Sequence, residues 1–263
     1  MTAGTSPGSI RAASIDVAFT PADLRPTRVA LVVDVLRASS TIAAALAAGY
    51  ARVLCVGDME QARRLRGPGR AIAGELGCRR VEGFDFGNSP RDFVGGAMGE
   101  LVLCTTNGTP AILAAVSVAE DVLVASLLNL DAVLQAVPAR ADVTVVCSGT
   151  DGRFALEDAY AAGRIVDRLA GARSDAARAV ERLAAAYGEP HAPLTESADA
   201  AVLRASGQDG DVAFCARESV LAVAPRVISA NDGVAVVSDC VSRAPCRAPK
   251  LDETAKPVLL GKC

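Results

Sequence analysis

The sequence contains no tryptophan, a single histidine and few aromatic residues, and each shortage excludes something. Aromatic residues make up 3% of the 263 positions, so a core must be built mainly from Ala, Val and Leu. The single histidine, His191, argues against a zinc site of the usual nitrogen and sulfur type. The chain has no block of basic residues, and its net charge of −3 argues against binding to nucleic acid.

The sequence also lacks the features of a membrane or secreted protein. No apolar run approaches the roughly 18 residues that a membrane span requires. The N-terminus, MTAGTSPGSIRAAS, has no apolar segment of the kind found in secretory signals. The eight cysteines form no CxxC pair, and several lie within apolar stretches such as VLCVG and VVCSG. We therefore expect buried, reduced cysteines and a cytoplasmic protein that binds neither membranes nor nucleic acid.

What the sequence does contain is an alternation of apolar strand-like segments and helix-like segments. Strands are predicted at 15–19, 28–35, 52–57, 70–74, 100–106, 120–125 and 142–148. Helices are predicted at 39–48, 58–66, 109–118, 129–137, 157–170, 174–187 and 195–206. Nearly continuous apolar strands indicate burial on both faces, which requires helices on both sides of a mostly parallel or mixed sheet. The expected fold class is therefore a three-layer α/β/α domain.

A single domain is expected, because no linker divides the first 190 residues. We expect it to span 13–238, between a disordered N-terminal tail over 1–12 and a Pro- and charge-rich tail over 239–263. The segment 174–206 is predicted to form a helical cap or insertion. The segment 210–237 is predicted to add edge strands, with a turn at NDG. A homodimer is compatible with the Ala-rich composition, although no segment identifies an interface.

Polar loops follow four of the predicted strands, at the end where open α/β sheets bind their ligands. The loops are DVLRASST at 34–41, GELG at 74–77, TTNGT at 105–109 and SGTDGR at 148–153. Hydroxyl groups, glycines and a following helix are the components of an anion site, because backbone N–H groups there point at the ligand. Carboxylates supply hard oxygen ligands that suit Mg²⁺ together with phosphate oxygens. The carboxylates near these loops are Asp34, Glu75, Glu157 and Asp158.

Each loop taken alone has a simpler interpretation. A Ser/Thr and Gly loop before a helix is most often an N-cap, and Glu157 and Asp158 would ordinarily form a solvated first turn. Asp34 is either a site residue or a buried partner of Arg37, and Arg37 is suited to hold a phosphate or sulfonate through paired hydrogen bonds. The stretch GFDFGNSP at 83–90 is either a tight turn or a ligand loop. Four such strand ends in one sheet favour metal-assisted phosphate chemistry.

Seven motifs occur in order between Ile15 and Pro225: VVDVLRASSTIAAALAAG, AGELG, VEGFDFGNSP, LCTTNGT, SLLN, CSGTDGRFALEDAYAAG and FCARES. In this order they resemble the ComB family, the 2-phosphosulfolactate phosphatases. The resemblance implies an α/β fold of that family's own type. It also implies Mg²⁺-dependent hydrolysis of (2R)-phospho-3-sulfolactate to sulfolactate and phosphate, which in some organisms is a step towards coenzyme M.

The resemblance further implies which residues form the site. Catalytic roles fall on Asp34, Arg37, Glu75 and Asp158, and metal-binding roles fall on Asp34, Glu75 and Glu157. Substrate-binding roles fall on Ser39, Asn88, Ser89, Thr106, Asn107, Gly108, Ser148 and Gly149. The sequence leaves three roles open for Asp34, which are nucleophile, general base and metal ligand.

Three positions depart from the family pattern, and each departure removes a basic or imidazole side chain. The family usually has arginine where this chain has Leu76 and Pro110, and histidine where it has Asp199. These departures support a second hypothesis, a non-catalytic binder of a phosphorylated or sulfonated metabolite. A nucleotide-binding enzyme is a third and weaker hypothesis, because neither a Rossmann glycine motif nor a P-loop motif occurs.

Overall fold

The computed structural model describes residues 10–93, 95, 97 and 99–241. These residues form three layers, with helices on both faces of one mixed sheet, which confirms the predicted fold class. Most of the two predicted tails, over 1–12 and 239–263, lies outside the described residues. The first strand nevertheless begins at Ile10, inside the stretch predicted as the N-terminal tail.

The described residues contain both element types predicted from the sequence. The strands are β1 (Ile10–Ala18), β2 (Thr27–Val33), β3 (Arg52–Val56), β4 (Arg70–Leu76), β5 (Arg79–Arg80), β6 (Glu100–Cys104), β7 (Ala119–Ala125), β8 (Asp142–Cys147), β9 (Leu169–Arg173), β10 (Pro225–Asn231) and β11 (Val234–Asp239). The helices are α1 (Ala38–Ala48), α2 (Met59–Arg64), α3 (Gly108–Val116), α4 (Leu130–Ala136), α5 (Leu156–Arg168), α6 (Asp175–Tyr187), α7 (His191–Glu196), α8 (Ala198–Ala205) and α9 (Asp209–Cys215). Among these helices, none combines the length and the apolar character that crossing a membrane requires.

The sheet consists of two groups of parallel strands separated by an antiparallel hairpin. The strand order is β5-β4-β6-β3-β11-β10-β7-β2-β8-β1-β9. Strands β7, β2, β8, β1 and β9 form one parallel group, and β4, β6 and β3 form the other. Within each group the carboxyl ends of the strands therefore lie at one edge of the sheet.

Strand β2 shows why the sequence around it is so apolar. Val29, Leu31 and Val33 pack into one core cluster with side chains of α4 and α5. Ala30 and Val32 point to the opposite face and pack with side chains of α1 and α3. A strand buried on both faces needs an apolar residue at every position, so its end is marked by the first charged residue.

The segment 210–237 differs from its prediction as edge strands. Its first part belongs to helix α9, whose buried residues Asp211, Val212 and Cys215 have helical spacing. Its second part is the hairpin β10–β11, which lies inside the sheet between β7 and β3 and not at an edge. The turn at NDG is confirmed, since Asp232 and Gly233 join the two strands with φ values of 50° and 74°.

The helical region after β8 also differs in detail from its prediction. The helix predicted at 157–170 ends at Arg168, and the next five residues form β9 beside β1. The segment 174–206 consists of α6, α7 and α8, of which α6 packs against α5 and β1. The helix predicted at 195–206 is divided at Ser197, which caps α8 by accepting the N–H of Ala200 over 3.1 Å.

Candidate active site

Asp34 directly follows β2 and lies at the start of two helices. The N–H of Ala38, the first residue of α1, donates to Asp34 Oδ1 over 2.9 Å. Gly108, the first residue of α3, lies so close that a Cβ there would be 2.7 Å from Asp34 Oδ2. Two helix N-termini therefore meet at one carboxylate, and both favour negative charge at this point.

Asp158 connects the loops that follow β2 and β8. Its Oδ1 accepts the N–H of Val35 over 2.9 Å, and its Oδ2 accepts the N–H of Gly149 over 3.1 Å. Gly149 has a φ of +63°, and a Cβ there would lie 2.3 Å from the carbonyl oxygen of Arg153, so this turn requires glycine. Both carboxylate oxygens of Asp158 are engaged by the backbone, which favours a positioning role for this residue.

The buried carboxylates of the site have no cationic partner among the described residues. Asp34, Glu157 and Asp158 are buried, and none of them forms an ion pair in this part of the chain. Burial raises the pKa of Asp34 to about 7, and the charges of Asp199 and Glu75 contribute to the increase. Burial and the charge of Asp199 raise the pKa of Glu157 to about 8. Burial and the two neighbouring carboxylates also raise the pKa of Asp158.

Arg37 is buried and paired, but its partner is Asp211 of α9. Arg37 Nη1 lies 2.6 Å from Asp211 Oδ2, and the two side chains are 2% and 1% exposed. The same nitrogen donates to Gln208 Oε1, and Ser89 Oγ donates to Asp211 Oδ1 over 2.7 Å. The interpretation of Asp34 as the ion-pair partner of Arg37 is therefore wrong, because α9 supplies that partner.

Glu75 lies near the end of β4 and joins it to the loop after β6. Its Oε1 accepts the hydroxyl of Thr106 over 3.2 Å, and its Oε2 accepts the N–H of Cys78 over 2.8 Å. One residue later, Asn107 Oδ1 accepts the N–H of Asp151 in the loop after β8 over 3.3 Å. These bonds bring together loops from both parallel groups of strands, although the hairpin separates the groups within the sheet.

Two buried polar atoms at the site have no hydrogen-bond partner in the described part of the chain. They are Ser148 Oγ, directly after β8, and Asn88 Oδ1, in the GNSP stretch. The carbonyl of Asn88 is anchored on α1, because it accepts the hydroxyl of Thr41 over 2.9 Å. Leaving a buried polar group unsatisfied costs about 1–3 kcal/mol. Each of these two atoms is therefore a candidate contact for a polar ligand.

Asp199 joins the carboxylates from α8, and its Oδ2 accepts the hydroxyl of Thr150 over 2.7 Å. Sequence reasoning marks Asp199 only as a lost histidine, includes Thr150 only as part of the loop at 148–153, and misses Gln208 and Asp211. Asp211 lies in the segment interpreted as a strand. Acidic residues in the first turn are typical of a helix start, and this signal in DGDVAFC would have identified Asp211 as a helical residue.

Comparisons with known proteins identify the family. Residues 17–229 match the sequence model of a family described as 2-phosphosulpholactate phosphatase. The chain belongs to this family. A probable 2-phosphosulfolactate phosphatase of Thermotoga petrophila is 38% identical over 221 residues, which cover 82% of this chain and 96% of the relative. Proteins of the same name from Thermotoga maritima (36% identical, with 82% and 96% covered) and Deinococcus radiodurans (37%, with 78% and 89%) are also similar.

The resemblance inferred from the seven motifs is thus confirmed, and the chain is a phosphoric monoester hydrolase of the 2-phosphosulfolactate phosphatase family. Hydrogen bonds in the described structure connect the loop after β8 to the loops after β2 and β6, and the loop after β6 to the end of β4. The Ser39 hydroxyl donates to the Asp34 carbonyl over 2.7 Å and accepts the Asp34 N–H over 3.1 Å, so it is engaged within its own loop. Two of the positions that depart from the family pattern, Leu76 and Pro110, are exposed.

Proposed function

We propose that this family member hydrolyses (2R)-phospho-3-sulfolactate, or a related 2-phospho acid, to sulfolactate and phosphate in a Mg²⁺-dependent reaction. The names of its relatives support the substrate. The observation that carries the proposal is the position of the Asp34 carboxylate, which is buried at two helix N-termini. Ser148, whose hydroxyl has no partner among the described residues, is bonded through its N–H to the carbonyl of Val33 next to Asp34, and Asn88 is held on α1 by Thr41. Such a site combines oxygen ligands for a cation with N–H and hydroxyl donors for a phosphoryl group.

The donor set fits a magnesium ion that is shared with the substrate. In the part of the chain that the structure describes, no group of three or more His, Cys, Asp or Glu is arranged to hold a metal ion. Mg²⁺ ordinarily takes one or two carboxylates and completes its coordination with water and phosphate oxygens. Asp34 and Glu157 would supply the carboxylates, since both oxygens of Glu75 accept hydrogen bonds. When bound, the ion would neutralise charge on the phosphoryl group.

The protein groups around Asp34 would bind and orient the phosphoryl group. The hydroxyl of Ser148 and the N-terminus of α3 would donate to phosphoryl oxygens as negative charge develops on them. Asp158 would hold the donors in place, because it fixes the loops after β2 and β8 through two backbone N–H groups. Donors fixed in advance need no reorganisation during the reaction, which is why such an arrangement lowers a barrier.

An Asp34→Asn variant tests the proposal. We expect phosphate release from (2R)-phospho-3-sulfolactate to fall at least about a hundredfold, as is typical when a charge-stabilising group is removed from an active site. The increase in thermal stability caused by MgCl₂ should also disappear. Asp167→Asn is the matched control, because Asp167 is an exposed residue of α5 and should change neither quantity. An Asp34→Asn protein that retains the full rate would contradict the proposal.

The same measurements separate the second hypothesis, a non-catalytic binder. Folded wild-type protein that is stabilised by sulfolactate, yet releases no phosphate from any 2-phospho acid with or without Mg²⁺, would support binding without catalysis. Binding without catalysis is tested because the chain has no basic side chain at Leu76 or Pro110.

We also propose that the protein works in the cytoplasm. The six cysteines in the described residues are free, as is usual in reducing compartments. Four of them, Cys55, Cys104, Cys147 and Cys215, are buried in the core, where they act as small apolar side chains.

A further inference from the structure

A cleft of about 390 Å³ lies against the Arg37–Asp211 ion pair. The GNSP stretch, β5 and the start of α9 form its wall. The side chains that line it include Arg80, Ser89, Arg91, Gln208 and Asp211. Gln208 connects the cleft to the candidate active site, because it accepts a hydrogen bond from Arg37 and donates one to the carbonyl of Cys78. The cleft and the carboxylate site are therefore neighbours.

Two arginines, Arg80 and Arg91, and two aspartates, Asp92 and Asp211, line the cleft. One of the two carboxylates, Asp211, is already paired with the buried Arg37. Asp211 is engaged by Arg37 at 2.6 Å, while its distance to Arg91 Nη1 is 3.9 Å and the Arg91 side chain is 53% exposed. Arg80 forms no ion pair among the described residues, and its Nη1 donates to the carbonyl of Asp85 over 3.3 Å. The guanidinium groups of Arg80 and Arg91 therefore each keep further N–H donors for a ligand in the cleft.

Gly210 lies against the guanidinium of Arg91. A Cβ at position 210 would lie 2.2 Å from Arg91 Nη1, so the missing side chain leaves room for the guanidinium. The backbone of Gly210 does not require glycine, because its φ lies outside the left-handed region. Glycine inside a helix is ordinarily unfavourable relative to alanine. A methyl group at position 210 would therefore displace the Arg91 guanidinium from the place it occupies here.

We propose that Arg80 and Arg91 bind the sulfonate group of the substrate and determine the preference for a sulfonated 2-phospho acid. This inference rests on the proposed function, which places the phosphoryl group at Asp34. Asn88 and Ser89 connect the phosphoryl site at Asp34 to the cleft. Asn88 is anchored on α1, and the adjacent Ser89 lines the cleft. A guanidinium matches the oxygens of a sulfonate with two parallel N–H donors.

The test compares Arg80→Gln and Arg91→Gln with Arg79→Gln. Arg79 is an exposed neighbour of Arg80 in β5 that does not line the cleft, so its removal changes the net charge equally. For (2R)-phospho-3-sulfolactate we expect kcat/KM to fall roughly tenfold or more in each cleft variant, mainly through KM, as charge-assisted hydrogen bonds are lost. For 2-phospholactate, which has no sulfonate, the change should be less than about threefold. Arg79→Gln should leave kcat/KM unchanged for both substrates.

A Gly210→Ala variant provides an independent check, because it displaces the Arg91 guanidinium without removing a charge. It should lower kcat/KM selectively for the sulfonated substrate. Equal losses on both substrates in the cleft variants, or no loss beyond that of Arg79→Gln, would overturn the inference while leaving the proposed function intact.

Binding of sulfolactate, measured by calorimetry, separates this inference from the proposed function. If folded wild-type protein releases no phosphate, the proposed function fails, and the arginine roles are then decided by binding. Sulfolactate binding that weakens roughly tenfold in Arg80→Gln and Arg91→Gln would support them. No binding to the wild-type protein, or binding that the two variants do not change, would refute them.

Discussion

The contact between Gly108 and Asp34 provides a direct test of the site geometry. In a Gly108→Ala variant the new Cβ would lie 2.4 Å from Ala38 Cβ and 2.7 Å from Asp34 Oδ2, much closer than carbon and oxygen atoms normally approach. The backbone of Gly108 has no positive φ, so helix propensity alone would favour alanine by up to about 1 kcal/mol. Overpacking of a tight site costs about 1–3 kcal/mol. We therefore expect a net loss of roughly 1–2 kcal/mol in the free energy of unfolding.

Urea unfolding followed by circular dichroism measures this loss as a lower midpoint with an unchanged slope. Phosphate release should fall more than about tenfold, because the clash displaces the Asp34 carboxylate from the position set by α1. Gly57→Ala is the matched control. A Cβ at Gly57 meets no atom within 4 Å, so its effect on stability should stay within about 0.5 kcal/mol. If Gly108→Ala behaved like Gly57→Ala in both assays, the close packing inferred here would be refuted.

Two further predictions concern buried charge. Asp211→Asn deprives the buried Arg37 of its carboxylate, so urea unfolding should show a loss of about 3–5 kcal/mol. The exposed Asp209→Asn should lose less than about 0.5 kcal/mol, and equal losses would contradict the buried pair. The pKa values of Asp34 and Glu157 are raised by burial to about 7 and about 8, from 3.8 and 4.5, so the stability that these two groups contribute without metal is fully present below about pH 4 and is lost as pH rises towards 8. MgCl₂ should therefore raise Tm more at pH 8 than at pH 5. An equal rise at both pH values would contradict the raised pKa values of the two carboxylates.

The strands around the site were predictable because each depends on its own residues. The run from Ala30 to Val33 is buried on both faces of the sheet, so an uninterrupted apolar sequence marks the strand and Asp34 marks its end. The same logic places Ser148 after β8. Strand ends collect polar loops in open α/β sheets, and this rule selects from the sequence the loops that hydrogen bonds connect in the structure.

The contacts across the site were not predictable in this way. Arg37 pairs with Asp211, which is 174 residues further along the chain, and Thr150 bonds to Asp199, which is 49 residues away. No local periodicity records such a pairing. The position of the hairpin β10–β11 inside the sheet is a similar case, because a strand's neighbours depend on which backbone edges remain free as the chain packs.

The sequence by itself determined the family and singled out four carboxylates, Asp34, Glu75, Glu157 and Asp158. Only the tertiary structure decided what each carboxylate contacts. Asp158 gives both oxygens to backbone N–H groups, and Glu75 gives both to Cys78 and Thr106. Asp34 instead lies at two helix N-termini without a cationic partner among the described residues. Burial and hydrogen bonding depend on residues far apart in the chain, so the role of a carboxylate is a property of the fold.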